Sequence, residues 1–168
     1  MDNNYNPELS HHLIIMELQK NWRDANDRPI EYDGSPIDWR ISCYAIIVRD
    51  QQILVMSDVN NYLYTVPGGG IELDEPLKLG LEREVAEETG STVEVGQLIS
   101  VKEDWFYHAQ EQRFYHAVLN FYSAELAGEV GQPTDAKVNF ADFVPLSQLK
   151  AENTNPLVWE VLKQNGYL

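Results

Sequence analysis

Apolar residues recur along the chain at two spacings. Leu9, Leu13, Ile14 and Met16 repeat at helical spacing behind Pro7, which suits a first helical turn, and predict a helix over 7–22. Residues 23–38 hold Pro29, Asp33-Gly34 and Pro36 and predict a loop or linker. Residues 1–38 therefore read as an N-terminal extension, and 39–168 as the domain proper. From Trp39 the spacing shortens. Ile41–Arg49, Ile53–Met56 and Tyr62–Val66 predict strands, with Asp50-Gln51-Gln52 turning between the first two. Pro67-Gly68-Gly69-Gly70 reads as a hard break. Helical spacing returns over 75–89, with Asp74 as the expected N-cap, Pro76 in the first turn and Gly90 as the stop. Thr92–Val101, Arg113–Glu125 and Phe140–Val144 predict more strands, and Ala109–Gln112 the turn of a hairpin. Asn155–Gln164 predicts a last amphipathic helix carrying Leu157, Val158, Val161 and Leu162. Strands, helix, strands, helix point to an α/β fold, a mixed sheet with helices packed on it.

Composition narrows the partners. The chain has 168 residues, 43% hydrophobic and 23% charged, as expected for one soluble globular domain plus an arm. Asp and Glu number 27 against 12 Lys and Arg, for a formal charge of −15. Such a chain repels phosphate backbones, which excludes a nucleic acid duplex and an anionic membrane as expected partners. A small phosphorylated substrate stays open, provided cations screen it. Cys43 is the single cysteine, so no disulfide forms within the chain, which fits a reducing compartment. No apolar run nears the ~20 residues of a membrane span. The start, Met1-Asp2-Asn3-Asn4, lacks a basic n-region and an h-region, so the expected localisation is cytoplasmic.

The acids of the 75–89 helix sit in costly places. Leu77, Leu81 and Val85 form a stripe within roughly 80° of the helical wheel, and Glu84 and Glu88 fall at its edge, continued by Glu87 and Gly80. Like charges at i, i+4 cost about 0.2–0.5 kcal/mol. Glu87 and Glu88 also stand in the last turn, where the helix dipole disfavours negative charge. Arg83 alone cannot balance three glutamates. A hard divalent cation can, since magnesium favours carboxylates, water and phosphate oxygens. The glycines just before the helix allow close backbone approach and free a carbonyl to act as a ligand.

These residues carry a family resemblance. Gly69, Glu75 and Arg83-Glu84-Val85-Ala86-Glu87-Glu88-Thr89-Gly90 reproduce the spacing of the Nudix box, G-x5-E-x7-R-E-U-x-E-E-x-G-U with U bulky and apolar. The one departure is Ser91 at the last apolar position. Val66-Pro67-Gly68-Gly69-Gly70-Ile71-Glu72 resembles the family's lead-in. The resemblance, to the MutT-like Nudix hydrolases, extends loosely over 39–165. It implies an α/β/α sandwich with the box as loop–helix–loop. It also implies hydrolysis of a diphosphate bond, in a nucleoside diphosphate linked to another moiety X or in a nucleoside triphosphate, with Mg²⁺ or Mn²⁺. By position, Glu84 and Glu88 resemble principal metal ligands, Glu87 a third ligand or helper, and the Gly68 carbonyl a backbone ligand. Arg83 and Glu75 resemble the pair that orients the carboxylates. Glu87 is a candidate general base within the box, and Glu103, Glu111 and Asp135 are candidates outside it. Family members are often dimers, so a homodimer is among the expectations, with 1–38 packing or swapping.

The stretch Trp105-Phe106-Tyr107-His108 through Phe114-Tyr115-His116 is strongly aromatic. Tyr107, Phe106 and His116 are the candidate substrate contacts, because aromatic rings stack on bases; packing within the sheet is the competing reading. In the family, a Tyr about sixteen residues past the box goes with dinucleoside polyphosphates and a Pro there with ADP-ribose; Tyr107 stands at that spacing. Two other classes of function remain: a non-catalytic nucleotide-binding sensor on the same fold, and an interaction protein whose acidic helix binds cations only.

Overall fold

A computed structural model describes residues 22–59 and 61–168. The helix expected over 7–22 falls outside the described residues but for Trp22. Of the segment before the first strand, Trp22 is buried, stacks on Tyr32 and meets Phe114 edge-on. The part of the extension from Trp22 onward is thus packed on the domain.

Eight strands and two α-helices follow: β1 Ile37–Ile46, β2 Val48–Arg49, β3 Gln52–Asp58, β4 Asn61–Thr65, β5 Gly68–Gly70, α1 Leu77–Thr89, β6 Val93–His108, β7 Arg113–Leu126, β8 Val138–Pro145 and α2 Pro156–Gln164. One sheet has the order β5-β1-β7-β6; in the other, β3 pairs with β2 and β4 along one side and with β8 along the other. β1 and β7 run parallel and β5, β6 and the pairs of β3 antiparallel, giving the mixed α/β arrangement that the element order predicted. The expected hairpin forms at residues 109–112, between β7 and a β6 that runs on to His108.

Alternation of side chains divides the core in two. Cys43, Ala45 and Ile47 face α1 through Leu81 and Val85, with Tyr122 and Ala124 of β7. On the opposite face Ile46, Ala117, Leu119 and Phe121 meet Val158, Val161 and Leu162 of α2. The second sheet reaches both cores, through Leu54 on one side and Ile53 and Val55 on the other. The sheets therefore form the middle layer of a helix–sheet–helix sandwich.

Three local expectations need correction. The run Gly68–Gly70 is not a break but a short edge strand, with Gly68, Gly69 and Gly70 opposite Tyr44, Cys43 and Ser42. Asp74 does not cap α1. The cap position is Pro76, which makes no side-chain cap bond, so the first turn lacks the usual capping oxygen. Leu77 is 37% exposed, whereas Gly80, Leu81, Val85, Glu88 and Thr89 are buried. The buried stripe of α1 is thus rotated towards its C-terminal acids. The helix stops where predicted: Gly90 takes φ 66° and its N–H donates to Ala86 O at 2.9 Å.

Candidate active site

The edge strand β5 and helix α1 bring the box residues together. Gly68 has φ 135°, and a side chain there would overlap the Cys43 carbonyl. Its N–H donates to Glu88 Oε2 at 2.7 Å. On Gly69 an added Cβ would lie 2.5 Å from Glu84 Oε2. Absence of a side chain at Gly69 is what lets Glu84 press against the strand. Arg83 supplies the counter-charge. Its Nη2 and Nε donate to Glu75 at 2.6 and 3.2 Å, and its Nη1 donates to Glu84 Oε1 at 2.7 Å and lies 3.6 Å from Glu87. Glu75 also accepts the Glu72 N–H at 2.9 Å, so its two oxygens are engaged locally. The guanidinium holds the Glu75 carboxyl below its usual range, and Glu75 in turn raises Arg83.

Glu88 is the unusual member. It is 8% exposed, and burial pushes its carboxyl up to about 8, against the pull of the Gly68 N–H and helped by the charges of Glu84, Asp135 and Glu87. Asp135 arrives on the loop after β7, which is tied to the end of α1: Thr134 N–H and Asp135 N–H donate to Glu87 O at 2.8 and 3.1 Å, and Gly131 N–H to Thr89 O at 2.8 Å. Nothing in the sequence signalled that this loop folds back on the helix.

Among the described residues no three His, Cys, Asp or Glu side chains converge on one point. Arg83 draws Glu84 and Glu87 towards itself. The donors nevertheless suit a hard divalent cation in kind. All are oxygens, and Glu88 is a buried carboxylate with one described hydrogen bond, from Gly68.

The remaining candidates divide by sheet face. Phe106 lies 5.5 Å from Tyr115, and Arg40 places its guanidinium 5.3 Å over the Tyr115 ring. Arg40 also flanks Gly70, where an added Cβ would meet its Nη2 at 2.5 Å. Phe106 therefore shares a face with Arg40 beside β5. Tyr107 and His116 take the other face. Tyr107 packs on Phe114 at 4.8 Å, and His116 is sandwiched between Trp39 at 4.1 Å and Trp105 at 4.4 Å. Glu103 points to that same face, 3.9 Å from His116. Glu111 stands in the β6–β7 turn, 3.7 Å from Arg40 and accepting the Tyr115 hydroxyl. Of the three outside acids, only Asp135 is tied to the end of α1, through its N–H on Glu87 O. Arg40 was missed in the sequence; the available signal was the single cation of β1, a strand that also carries Asp38 and Ser42.

The NUDIX domain family matches residues 38–164. A MutT-like protein of Streptomyces ambofaciens is 39% identical over 75 residues, 44% of this chain and 48% of that protein. A Bacillus subtilis (strain 168) protein with the provisional name ADP-ribose pyrophosphatase YjhB is 27% identical over 103 residues, 61% of this chain and 49% of that one. The chain spans about half the length of the curated relatives it matches. A MutT NUDIX hydrolase from Burkholderia pseudomallei superposes with a TM-score of 0.62 at 25% identity, over 76% of this chain and 98% of that one. An ADP-ribose pyrophosphatase from Streptococcus suis shares the fold, with a TM-score of 0.56 at 20% identity over 76% of this chain and 91% of that one.

Proposed function

The chain belongs to the Nudix family, and from that premise we propose that it hydrolyses the diphosphate bond of a nucleoside diphosphate linked to a second moiety. The observation that carries this reading is the buried carboxylate of Glu88 bonded to Gly68, with Glu84 against Gly69 and Arg83 tying Glu84 and Glu87 to Glu75. Glu84, Glu87, Glu88 and the Gly68 carbonyl are the groups that would hold Mg²⁺ or Mn²⁺. Such an ion, when bound, neutralises phosphate charge and lowers the pKa of a coordinated water.

The chain's own residues do the rest. Glu75 and Arg83 fix the direction of Glu84, an arrangement that tunes ligands without touching substrate. Water oxygen attacks one phosphorus, the bridging P–O bond breaks, and the water's proton passes to a carboxylate. Glu87, which is exposed, and Asp135, whose N–H donates to the Glu87 carbonyl, are the two candidates for that transfer. Tyr107 is spent on packing against Phe114, so its spacing past the box gives no support to a dinucleoside polyphosphate. The name of the B. subtilis relative makes ADP-ribose the first compound to try.

The test is a screen of nucleoside diphosphate derivatives and triphosphates with Mg²⁺ and Mn²⁺, with product identification. The expected result is cleavage to two phosphomonoesters, abolished by EDTA. No turnover of any compound, with nucleotide binding intact, would leave the non-catalytic sensor as the better reading.

A further inference from the structure

Arg40 makes little of its charge within the described protein. It sits on β1 two residues before Ser42, the partner of Gly70, and is partly buried. Its side chain lies flat against the backbone of Gly70, because Nη2, Cζ and Nε would stand 2.5–2.9 Å from a Cβ at that position. The Tyr115 ring holds it from another side. Its N–H donors make no hydrogen bond among the described residues, and its described ion pair is a loose one, 3.7 Å to Glu111 Oε1. An arginine in a strand ordinarily directs its planar fork at a carboxylate or phosphate. Here the fork is held in place by a ring and a glycine, with no oxygen in bonding distance.

Its position gives that fork a purpose. Gly70 separates Arg40 from Arg83, which reaches the Gly70 carbonyl at 3.4 Å from the box side. Arg40 therefore borders the carboxylate cluster across one residue of β5. Beyond it lie Phe106, Tyr115 and His108, the last with Nδ1 accepting the Glu111 N–H at 3.2 Å. Lys137, just before the second sheet's β8, and Asp58, from the end of β3, also act on His108 electrostatically.

The geometry points to Arg40 as a binding residue for a phosphate group of the substrate, with Glu111 as the anion that the phosphate replaces. This rests on the proposed reading of the chain as an enzyme of nucleoside diphosphate derivatives. The two oxygens of a phosphate match the guanidinium fork, while Glu111 reaches it with a single oxygen at a distance too long for a hydrogen bond. Tyr115 fixes the plane of the fork and also donates to Glu111 through its hydroxyl. Loss of Glu111 from Arg40 thus leaves that carboxylate with a partner.

Titration calorimetry with ADP and with adenosine, in magnesium buffer, tests the assignment. Arg40→Gln weakens ADP binding by about tenfold or more, the scale of a charge-assisted contact, and leaves adenosine unchanged. Arg40→Lys recovers part of the loss. Glu111→Gln acts in the opposite sense and tightens ADP binding, a sign that a merely structural arginine does not produce. The thermal midpoint of each variant, measured in parallel, confirms a folded chain. Equal affinity of Arg40→Gln and the unaltered chain for ADP would overturn the assignment, as would equal weakening for ADP and adenosine. In either case magnesium-dependent turnover in the substrate screen would still stand as evidence for the enzyme. An unaltered chain that binds no ADP overturns the assignment too, and absence of turnover in that screen overturns the reading beneath it.

Discussion

Glu88 accepts a 2.7 Å hydrogen bond from the N–H of Gly68, joining the buried end of α1 to the edge strand β5. The bond satisfies one oxygen of a carboxylate that burial has pushed up to about 8 from an ordinary value of 4.5. A raised value in the folded state means that the native protein holds a proton the unfolded chain has released. The stability contributed by this group is complete below about 4.5 and is lost as the pH rises through about 8. The melting temperature in EDTA therefore contains a downward component between pH 5 and 9 that Glu88→Gln removes. Magnesium opposes it by displacing the proton, so stabilisation by the metal grows with pH. Melting curves with EDTA and with magnesium across that range check both signs.

Gly69→Ala separates site geometry from folding. The new methyl group meets only the flexible end of Glu84, at 2.5 Å, so the carboxylate moves and the fold persists. Turnover with magnesium falls by about tenfold or more, the scale of a misplaced ligand's orienting contact, while the melting temperature changes little. Gly68→Ala behaves differently. Its methyl group meets backbone at Cys43 and its φ is 135°, so the edge pairing breaks at a cost of about 1–3 kcal/mol. Denaturant titration and initial rates on both variants distinguish the two outcomes.

Arg83 and Glu75 form a two-bond pair, at 2.6 and 3.2 Å, with both side chains partly shielded from water. A double-mutant cycle with Arg83→Met and Glu75→Gln gives a favourable coupling, so the two substitutions together cost less than the sum of their separate costs. Arg83→Met also leaves Glu84 without its partner, so activity falls in that variant beyond what its stability explains. Chemical denaturation of the four proteins supplies the coupling.

Cys43 has no exposed surface, and burial, then the charge of Glu75, pushes its thiol up to about 11. Iodoacetamide at pH 8 leaves the native protein unmodified and labels it in urea, because the thiolate is the reactive form. Mass measurement after timed quenching reads the difference.

Short-range chemistry was legible in the residues. The spacing of Gly69, Glu75, Arg83, Glu84, Glu87 and Glu88 identified the helix and its company, since partners in a helix and the loop before it are fixed by a few residues of sequence. The orientation of α1 was legible only in part. Apolar character assigned Leu77 to the core, yet it is partly exposed at the start of α1, while Glu88 near the other end is buried with the Gly68 N–H as its partner. Strand pairing was the hidden quantity. That Gly68–Gly70 joins β1 depends on register with residues 42–44, which no local pattern encodes. The same holds for the aromatic run. Phe106 and Tyr107 are adjacent in sequence and lie on opposite faces of the sheet, so composition could not say which of them neighbours Arg40.

Manganese binding followed by the electron paramagnetic resonance of the free ion tests the central claim most directly, since the ion loses its sharp aqueous signal when proteins bind it. The unaltered chain at pH 8 removes that signal as protein is added, and Glu88→Gln at the same concentrations leaves most of it. Equal uptake by the two proteins, or none by either, would contradict a cation held among Glu84, Glu87, Glu88 and the Gly68 carbonyl.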